Sequence, residues 1–253
     1  MTEPHAQPST HPEDSADVRA WMERRFLTVV SHQLKSPLVA VRQYLDLLQD
    51  DAAARPEAAH TRPWIDRSIV RLEEALAIVE DWLALARVEA GALIHPDART
   101  DLAALLAELV ADARDAAATS RVGVRLEAPE VPLEVRGDRS SLAAALSHVV
   151  DNAIRYNHPG GAVVVRCLPP CAEQPGLARV EVEDTGIGIP RSFLPQLFQE
   201  FHRARSAASR DIPGTGLGLA ISQRIVQELG GHIAVESVEG EGSTFRLFLP
   251  LAG

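Results

Sequence analysis

Two long stripes of apolar residues, each with steps of three and four positions, constrain the first third of this 253-residue chain. Such spacing predicts amphipathic helices, which we place at about 17–51 and 61–90, the second ending at Gly91. The polar, alanine-rich segment DDAAARPEAAH between them predicts a turn, so the helices form an antiparallel hairpin. The stripes are Leu27, Val30, Leu34, Leu38, Val41, Leu45 and Leu48, and Ile65, Ile69, Leu72, Leu76, Val79, Leu83 and Ala86.

The apolar surface of this hairpin exceeds what one hairpin buries against itself. Pairing two copies into a four-helix bundle would cover it. We therefore expect a homodimer through residues 17–90. Residues 1–16, which are rich in proline, polar and acidic residues, predict a disordered leader.

Helical and strand patterns alternate over the remainder, about 92–253, and predict a two-layer α/β sandwich with a mostly antiparallel sheet. The whole chain is then α+β, a helical hairpin followed by a sandwich. Helices are predicted at 101–118, 139–157 and 216–229, strands near 122–128, 133–136, 162–168, 178–184, 232–237 and 243–249, and an irregular stretch at 190–213.

The composition of the chain argues against several classes of protein. The formal net charge of −10 argues against bulk attraction to nucleic acid or to an anionic membrane. Cys167 and Cys171, in CLPPC, lack the partners of a zinc site, fit no disulfide framework and are interpreted as a loop between two strands. No run approaches the ~18 apolar residues of a membrane-spanning helix. We expect a cytoplasmic location, either as such or as the soluble part of a longer membrane-bound sensor.

The segment SHQLKSPL at 31–38 places a histidine on the outer face of the first helix. At ~100° per residue, His32 lies about 160° from Leu34 and points away from the apolar stripe. Pro37 removes a backbone hydrogen bond one turn later and predicts a kink. Ser36 shares the outward face, and a neutral imidazole is a suitable nucleophile for phosphoryl transfer.

Two glycine-rich segments follow far downstream, DTGIGIP at 184–190 and GTGLGL at 214–219. In the first, Gly186 and Gly188 allow close backbone approach to a ligand, and Asp184 offers an acceptor suited to the exocyclic amine of adenine. The second precedes a helix, where free N–H groups and the helix dipole favour phosphate. It is not a Walker loop, because no Lys-Ser/Thr follows the glycines.

The segment HVVDNAIRYNHPGG at 148–161 supplies a third group of polar residues within about one and a half helical turns. Asn152 and Arg155 are three apart and share a helix face. An amide oxygen is suited to Mg²⁺, a guanidinium to phosphate and the Tyr156 ring to a base. The alternative interpretation is an amphipathic helix whose polar residues only form its outer face.

With these segments, the chain resembles the catalytic core of two-component sensor histidine kinases, a phosphoacceptor hairpin followed by a Bergerat-type ATP-binding domain. The resemblance covers about residues 20–250 and implies domains at 17–91 and 92–253. SHQLKSPL resembles the H box, HVVDNAIRY the N box, DTGIGIP the G1 box, LFQEFHR the F box and GTGLGLAIS the G2 box, and GEGSTFRLFLP resembles the closing strand.

The resemblance implies a role for each matching residue. His32 would be the phosphoacceptor, Asn152 the ligand of Mg²⁺ bridging the ATP phosphates, and Asp184 the partner of the adenine amine. Residues 191–213 would form a mobile lid, with Phe198 and Phe201 packing its base and Arg203 reaching toward the γ-phosphate. The other residues implied to line the nucleotide site are Arg155, Tyr156, Gly186, Gly188, Gly214, Thr215, Gly216, Leu217, Gly218 and Thr244.

Three positions depart from the family pattern. Gln33 replaces the acidic residue that usually follows the phosphoacceptor, and an amide does not accept the imidazole proton. Ser36 replaces the Thr or Asn linked to phosphatase activity, although serine could still position a water. His148 replaces the usual first asparagine of the N box.

The expected function is therefore an ATP- and Mg²⁺-dependent protein-histidine kinase that autophosphorylates His32 and passes the phosphoryl group to an aspartate of a response-regulator receiver domain. Two alternatives stay open at this point. One is a degenerate kinase acting as a dimeric nucleotide-binding scaffold, which Gln33 and His148 motivate. The other is an ATPase of the wider gyrase and chaperone superfamily without a phosphohistidine.

Overall fold

The computed structural model describes residues 38–39, 41–48, 50, 62–89, 95, 97–129, 131–172, 174–203 and 216–252. The chain divides into two compact units between Ala92 and Leu93.

The first unit contains helix α1 (Arg62–Glu89), and helical backbone also covers 38–39 and 41–48. The bounds of α1 lie within one residue of the predicted 61–90. Its apolar stripe includes the buried Leu76 and Leu83, whereas Val70 and Ile78 on the same helix are exposed. No helix in the described part of the chain combines the length and the apolar character needed to cross a membrane.

The second unit alternates strands and helices. Its elements are β1 (Arg99–Asp101), α2 (Leu102–Asp112), α3 (Arg114–Ser120), β2 (Gly123–Glu127), β3 (Glu134–Arg136), α4 (Arg139–Arg155), β4 (Ala162–Leu168), β5 (Leu177–Asp184), a 3-10 turn (Leu194–Gln196), α5 (Gly218–Glu228), β6 (His232–Val238) and β7 (Gly242–Pro250).

Five strands form one sheet in the order β2-β4-β5-β7-β6. The β2–β4 pair is parallel and the other three pairs are antiparallel. Helices α2, α4 and α5 pack on this sheet. This arrangement confirms the predicted α+β fold class with a two-layer sandwich. The core between the layers includes Leu102, Leu106, Leu142, Leu146, Ile221, Ile225, Leu247 and Leu249.

The other face of the sheet is charged. Arg166 on β4 contacts Glu181 and Glu183 on β5, with N–O distances of 3.0 and 2.6 Å. Arg246 on β7 contacts Glu181 and, on β6, Glu236. Along β5, charged and buried residues alternate, so the period-two pattern separates a polar face from the core face.

Three details differ from the prediction. The helix expected at 101–118 is two helices, because Ala113 ends α2 and caps α3. Strand β1 was not predicted, since it has three residues and forms only by pairing with the distant β3. Cys167 lies within β4 rather than in a loop, because it continues the buried alternation of Val163 and Val165. Cys171 is exposed, and both thiols are free.

Candidate nucleotide-binding site

Helix α4 is fixed at its start by Asp138. This carboxylate accepts hydrogen bonds from the Ser141 amide at 2.9 Å, the Ser141 hydroxyl at 2.7 Å and the His95 amide at 3.2 Å. Burial by itself would raise the pKa of Asp138, but these bonds and one from Ser140 lower it to about 2. A charged cap of this kind stabilises the helix that carries the N box residues.

The far end of α4 holds the polar residues that the sequence singled out. Asn152 is half-buried and Arg155 exposed, both in the last turn and a half. The helix ends at Tyr156, whose amide donates to the Asn152 carbonyl at 2.9 Å. These side chains therefore stand at the end of α4 that meets the first glycine segment.

Asp184 ends β5 as a buried carboxyl group, 8% exposed. Its Oδ1 accepts a 2.8 Å hydrogen bond from the Gly186 amide. Burial raises the pKa of Asp184 to about 6, against the opposing effect of hydrogen bonds from the Gly186 and Ser243 amides. A buried carboxyl with a perturbed pKa beside a glycine loop is typical of a functional site.

The loop after Asp184 is held between two neighbouring segments. The Ile187 amide donates to the Tyr156 carbonyl at 3.0 Å, and the Gly240 amide donates to the Ile187 carbonyl at 2.8 Å. A Cβ at Gly186 would lie 2.4 Å from the Tyr156 carbonyl oxygen. Gly188 has a φ of +62°, and a Cβ there would lie 2.0 Å from the Val238 carbonyl oxygen. The fold thus brings the N box and the G1 box together, and only glycine fits at both positions.

Strand β7 corrects one predicted site residue. Thr244 pairs with Glu183 and lies on the charged face of the sheet, so it does not line a pocket with Asp184. Its neighbour Ser243 pairs with Asp184, is 7% exposed, and lies 3.0 Å from Ser237 through the two hydroxyls. The alternation of side chains along the strand could have shown this in the sequence. Residues two apart face the same side of a sheet, so Ser243 lies on the inner face with the buried Phe245.

The second glycine segment is described from Gly216 onward. Gly216 has a φ of +74°, and its carbonyl accepts a hydrogen bond from the Phe201 amide at 3.0 Å. Leu217 is fully buried and caps α5, which begins at Gly218. Helix α5 packs on α4, where the Ser222 hydroxyl donates to the Ala145 carbonyl at 2.8 Å. This packing places the start of α5 beside the N box helix.

The segment before the second glycine motif is described up to Arg203. Phe198 is half-buried and Phe201 is 62% exposed; most of the predicted lid lies outside the described residues, so the packing of its base stays a prediction. Phe201 has a left-handed φ of 59° and bonds Gly216 through its amide, while Leu197 takes the buried position. Arg203, at the end of this segment, is exposed.

Five predicted site residues lie outside the described residues: His32, Gln33, Ser36, Gly214 and Thr215. Their roles stay predictions. Among the described residues, no three His, Cys, Asp or Glu side chains are grouped to hold a metal ion. The half-buried Asn152 amide fits a cation such as Mg²⁺, which takes few protein ligands when phosphate oxygens and waters supply the rest.

Comparison with known proteins gives two matching family models. One is "His Kinase A (phospho-acceptor) domain" over residues 22–91. The other is "Histidine kinase-, DNA gyrase B-, and HSP90-like ATPase" over residues 137–253. Together they cover the hairpin and the glycine-loop site.

Individual proteins agree with these matches. The chain is 33% identical over 231 residues to Sensor protein GacS of Pseudomonas syringae pv. syringae, covering 91% of this chain and 25% of GacS. It thus spans about a quarter of that curated relative's length. The solved mycobacterial sensor histidine kinase MprB is 28% identical, with a TM-score of 0.52 over 61% of this chain and 97% of that one. Full-length ShkA in complex with AMPPNP, at 24% identity, shares the fold with a TM-score of 0.68 over 90% of this chain and 46% of its own.

Proposed function

The chain belongs to the sensor histidine kinases, and we propose that it is an ATP-dependent protein-histidine kinase of two-component signalling. Its phospho-acceptor domain is followed by the ATPase-type domain of that family. His32 is the acceptor, and the phosphoryl group passes on to an aspartate of a response-regulator receiver domain. The observation that supports this best is the meeting of Tyr156, Asp184 and Gly186 at one loop, joined to the helix that carries Asn152.

In this proposal the adenine end of ATP lies at Asp184. Its carboxylate accepts from the exocyclic amine, and the Gly186–Gly188 loop gives the base close access to the backbone. Tyr156 covers the base, and Ser243 joins the inner face of the pocket in place of Thr244. The neighbouring fold of ShkA was solved with AMPPNP, which supports a nucleotide here.

The triphosphate extends from this pocket toward Asn152 and Arg155. Asn152 would hold Mg²⁺ from this chain, and the ion would supply positive charge that offsets the phosphate charge. Arg155 and Arg203 pair with phosphate oxygens. The segment from Gly214 through Thr215, Gly216 and Leu217 to Gly218 folds over the phosphates and leads into α5.

The transfer step is an in-line displacement. The unprotonated nitrogen of the His32 imidazole forms a bond to the γ-phosphorus, and the bond from that phosphorus to the β–γ bridging oxygen breaks, so ADP leaves. Arg203 offsets charge on the transferred group. Gln33 does not accept the remaining imidazole proton, so this chain lacks general-base help from that position. Ser36, which the helical spacing predicts on the same outward face, is the candidate to position a water in any reverse, phosphatase reaction.

We further propose the domain limits and assembly. Residues 1–16 are a leader, 17–91 the dimerisation and phosphoacceptor domain, and 92–253 the ATP-binding domain. A homodimer through 17–90 would cover apolar side chains that are exposed in one chain, including Val41, Leu48, Val70 and Ile78. The proposed location is cytoplasmic, either as such or as the soluble part of a longer membrane-bound sensor; the second alternative fits the greater length of GacS. The comparisons give no support to a degenerate scaffold.

The test is incubation of the full chain with ATP labelled on the γ-phosphate. We expect label that is stable in alkali and lost in acid on the wild type, and none on His32→Gln. His60→Gln, in the turn between the predicted helices, is the matched control and keeps its label. Acid-labile label that persists on His32→Gln would overturn the acceptor assignment.

A further inference from the structure

Asn157, in the segment HVVDNAIRYNHPGG, is a residue that the proposed function does not use. Its Nδ2 donates to the Ala153 carbonyl in the last turn of α4 and to the Ala162 carbonyl at the start of β4, both at 3.1 Å. Its Oδ1 accepts from the His158 amide at 3.0 Å and from the Thr185 hydroxyl at 3.4 Å. Because carbonyl oxygens cannot donate, the nitrogen of the side chain must face the two carbonyls, so this network fixes the orientation of the amide.

Thr185 completes this connection from the side of the first glycine segment. Its hydroxyl accepts from the Ala162 amide at 2.9 Å, and its own amide donates to the Ala162 carbonyl at 3.1 Å. The Ala162 carbonyl therefore accepts from both Thr185 and Asn157. These two residues, the Asn157–Thr185 pair, link the end of α4, the start of β4 and the end of β5.

Two glycines show how closely the chain is packed around the Asn157–Thr185 pair. A Cβ at Gly161 would lie 2.0 Å from Oδ1 of Asn157 and 2.9 Å from Oγ1 of Thr185. A Cβ at Gly186 would lie 3.1 Å from Cα of Asn157. Any side chain at Gly161 would therefore displace the pair, and the glycine loop lies directly against the backbone of Asn157.

Each member of the pair is adjacent in sequence to a residue that the proposed function places at adenine. Asn157 follows Tyr156, and Thr185 follows Asp184, whose carboxylate accepts from the Gly186 amide at 2.8 Å. Hydrogen bonds that fix the backbone beside a binding group also fix the direction of that group before the ligand arrives. The pair is therefore placed to hold Asp184 and Tyr156 in one arrangement.

We propose that the Asn157–Thr185 pair positions the Asp184 carboxylate for the 6-amino group of the purine, and so sets the preference of the site for 6-aminopurine nucleotides. The inference rests on the proposed function, because it needs adenine at Asp184. The pair acts through Asp184 and does not touch the nucleotide, so both members are positioning residues. An amine that meets a correctly placed carboxylate gains about tenfold or more in affinity, and a displaced carboxylate loses that gain.

The first test is calorimetric titration of the full chain with ADP and with the 5′-diphosphate of purine riboside, which lacks only the 6-amino group. We expect the wild type to bind ADP about tenfold or more tightly than the analogue. Asn157→Ala and Thr185→Val should bring this ratio of affinities close to one, whereas Thr185→Ser, which keeps the hydroxyl, should retain it. Thr119→Val is the matched control: it removes an exposed hydroxyl that donates to the Asp115 carbonyl on α3, and it should keep the wild-type ratio.

The outcomes of this titration separate the inference from the proposed function. A ratio that stays at the wild-type value in Asn157→Ala or Thr185→Val, even with an equal loss of affinity for both nucleotides, means that the pair only supports the fold. That result overturns the inference and leaves the proposed function intact. Failure of the wild type to bind ADP overturns both.

The second test needs no nucleotide and measures amide hydrogen exchange in the full chain. The Gly186 amide, which donates to Asp184, should exchange faster in Thr185→Val than in the wild type and in Thr185→Ser. The Leu247 amide, in the fully buried part of β7, should keep its wild-type exchange rate. Unchanged exchange at Gly186 in Thr185→Val, or an equal rise at Leu247, overturns the inference, because the pair then does not act locally on the Asp184 turn.

Discussion

The buried carboxyl of Asp184 should lower the free energy of unfolding of the protein without nucleotide. Its replacement by asparagine should restore this free energy and abolish ATP binding. The pKa of Asp184 rises from 3.8 to about 6 on folding, with burial as the largest cause. A group whose pKa is raised on folding favours the protonated state in the folded protein. For a carboxyl, the penalty is therefore complete above pH 6 and disappears as the pH falls below 3.8.

The magnitude follows from this difference in proton affinity. Each tenfold difference is worth about 1.4 kcal/mol, so ionised Asp184 costs about 3 kcal/mol at pH 7.5 and about half of that at pH 5. The amide introduced by Asp184→Asn keeps an oxygen that accepts from the Gly186 amide, and it carries no charge. This substitution should therefore raise the free energy of unfolding of the second unit by up to about 3 kcal/mol at pH 7.5, with a smaller gain at pH 5.

The assay must report on the second unit. Trp21, Trp64 and Trp82 all lie before residue 93, so tryptophan fluorescence follows the first unit. Urea unfolding should instead be followed by far-UV circular dichroism, with fluorescence separating the two transitions. Glu183→Gln is the comparison: it removes a charge that adds to the rise in the pKa of Asp184, but it also breaks the contact with Arg166, so it should stabilise less than Asp184→Asn. If Asp184→Asn destabilises the second unit at pH 7.5, or stabilises it equally at pH 5, the reasoning is wrong.

Three further predictions concern single positions. Gly188→Ala should lower the free energy of unfolding by well over the about 1–2 kcal/mol of a strained left-handed alanine, because its Cβ would lie 2.0 Å from the Val238 carbonyl oxygen. Gly240→Ala, where φ is +87° and no atom lies near the added Cβ, should lose only the free energy of that backbone strain. Thermal unfolding distinguishes the two variants. In a calorimetric titration, Ser243→Ala should weaken ATP binding about fivefold, the value of one hydrogen bond, and Thr244→Ala should leave the affinity unchanged. A loss of affinity in Thr244→Ala but not in Ser243→Ala would contradict the corrected assignment. Gln33→Glu should speed autophosphorylation, approaching the about 10²-fold lower bound of general-base catalysis in a single-turnover assay, and an unchanged rate would remove the base argument.

Much of this fold was predictable because its periodicities are local. The apolar stripe of α1 and the alternation of β5 each occur within one element, and the predicted bounds differ from the observed ones by one residue at most. Strand β1 was missed because it exists through pairing with β3, more than thirty residues away. The division at Ala113 has no glycine or proline to mark it.

The site was predictable where a motif fixes the backbone conformation. It was less predictable where a residue's role depends on the direction in which its side chain points. Asp184 and the two glycines after it require a particular turn, and that turn is present. Thr244 was wrongly placed because a strand turns successive side chains to opposite faces, and a shift of one residue reverses the answer. The exposure of Phe201 depends on its bond to Gly216, which the sequence does not reveal.

The central claim is that nucleotide bound at Asp184 phosphorylates one imidazole of the helical hairpin. Its most direct measurement is peptide mass spectrometry under alkaline conditions after a single turnover with ATP. We predict one phosphoryl group on the peptide that contains His32 in the wild type and none in Asp184→Asn. A phosphoryl group on another histidine, or one on His32 that survives Asp184→Asn, would contradict the account.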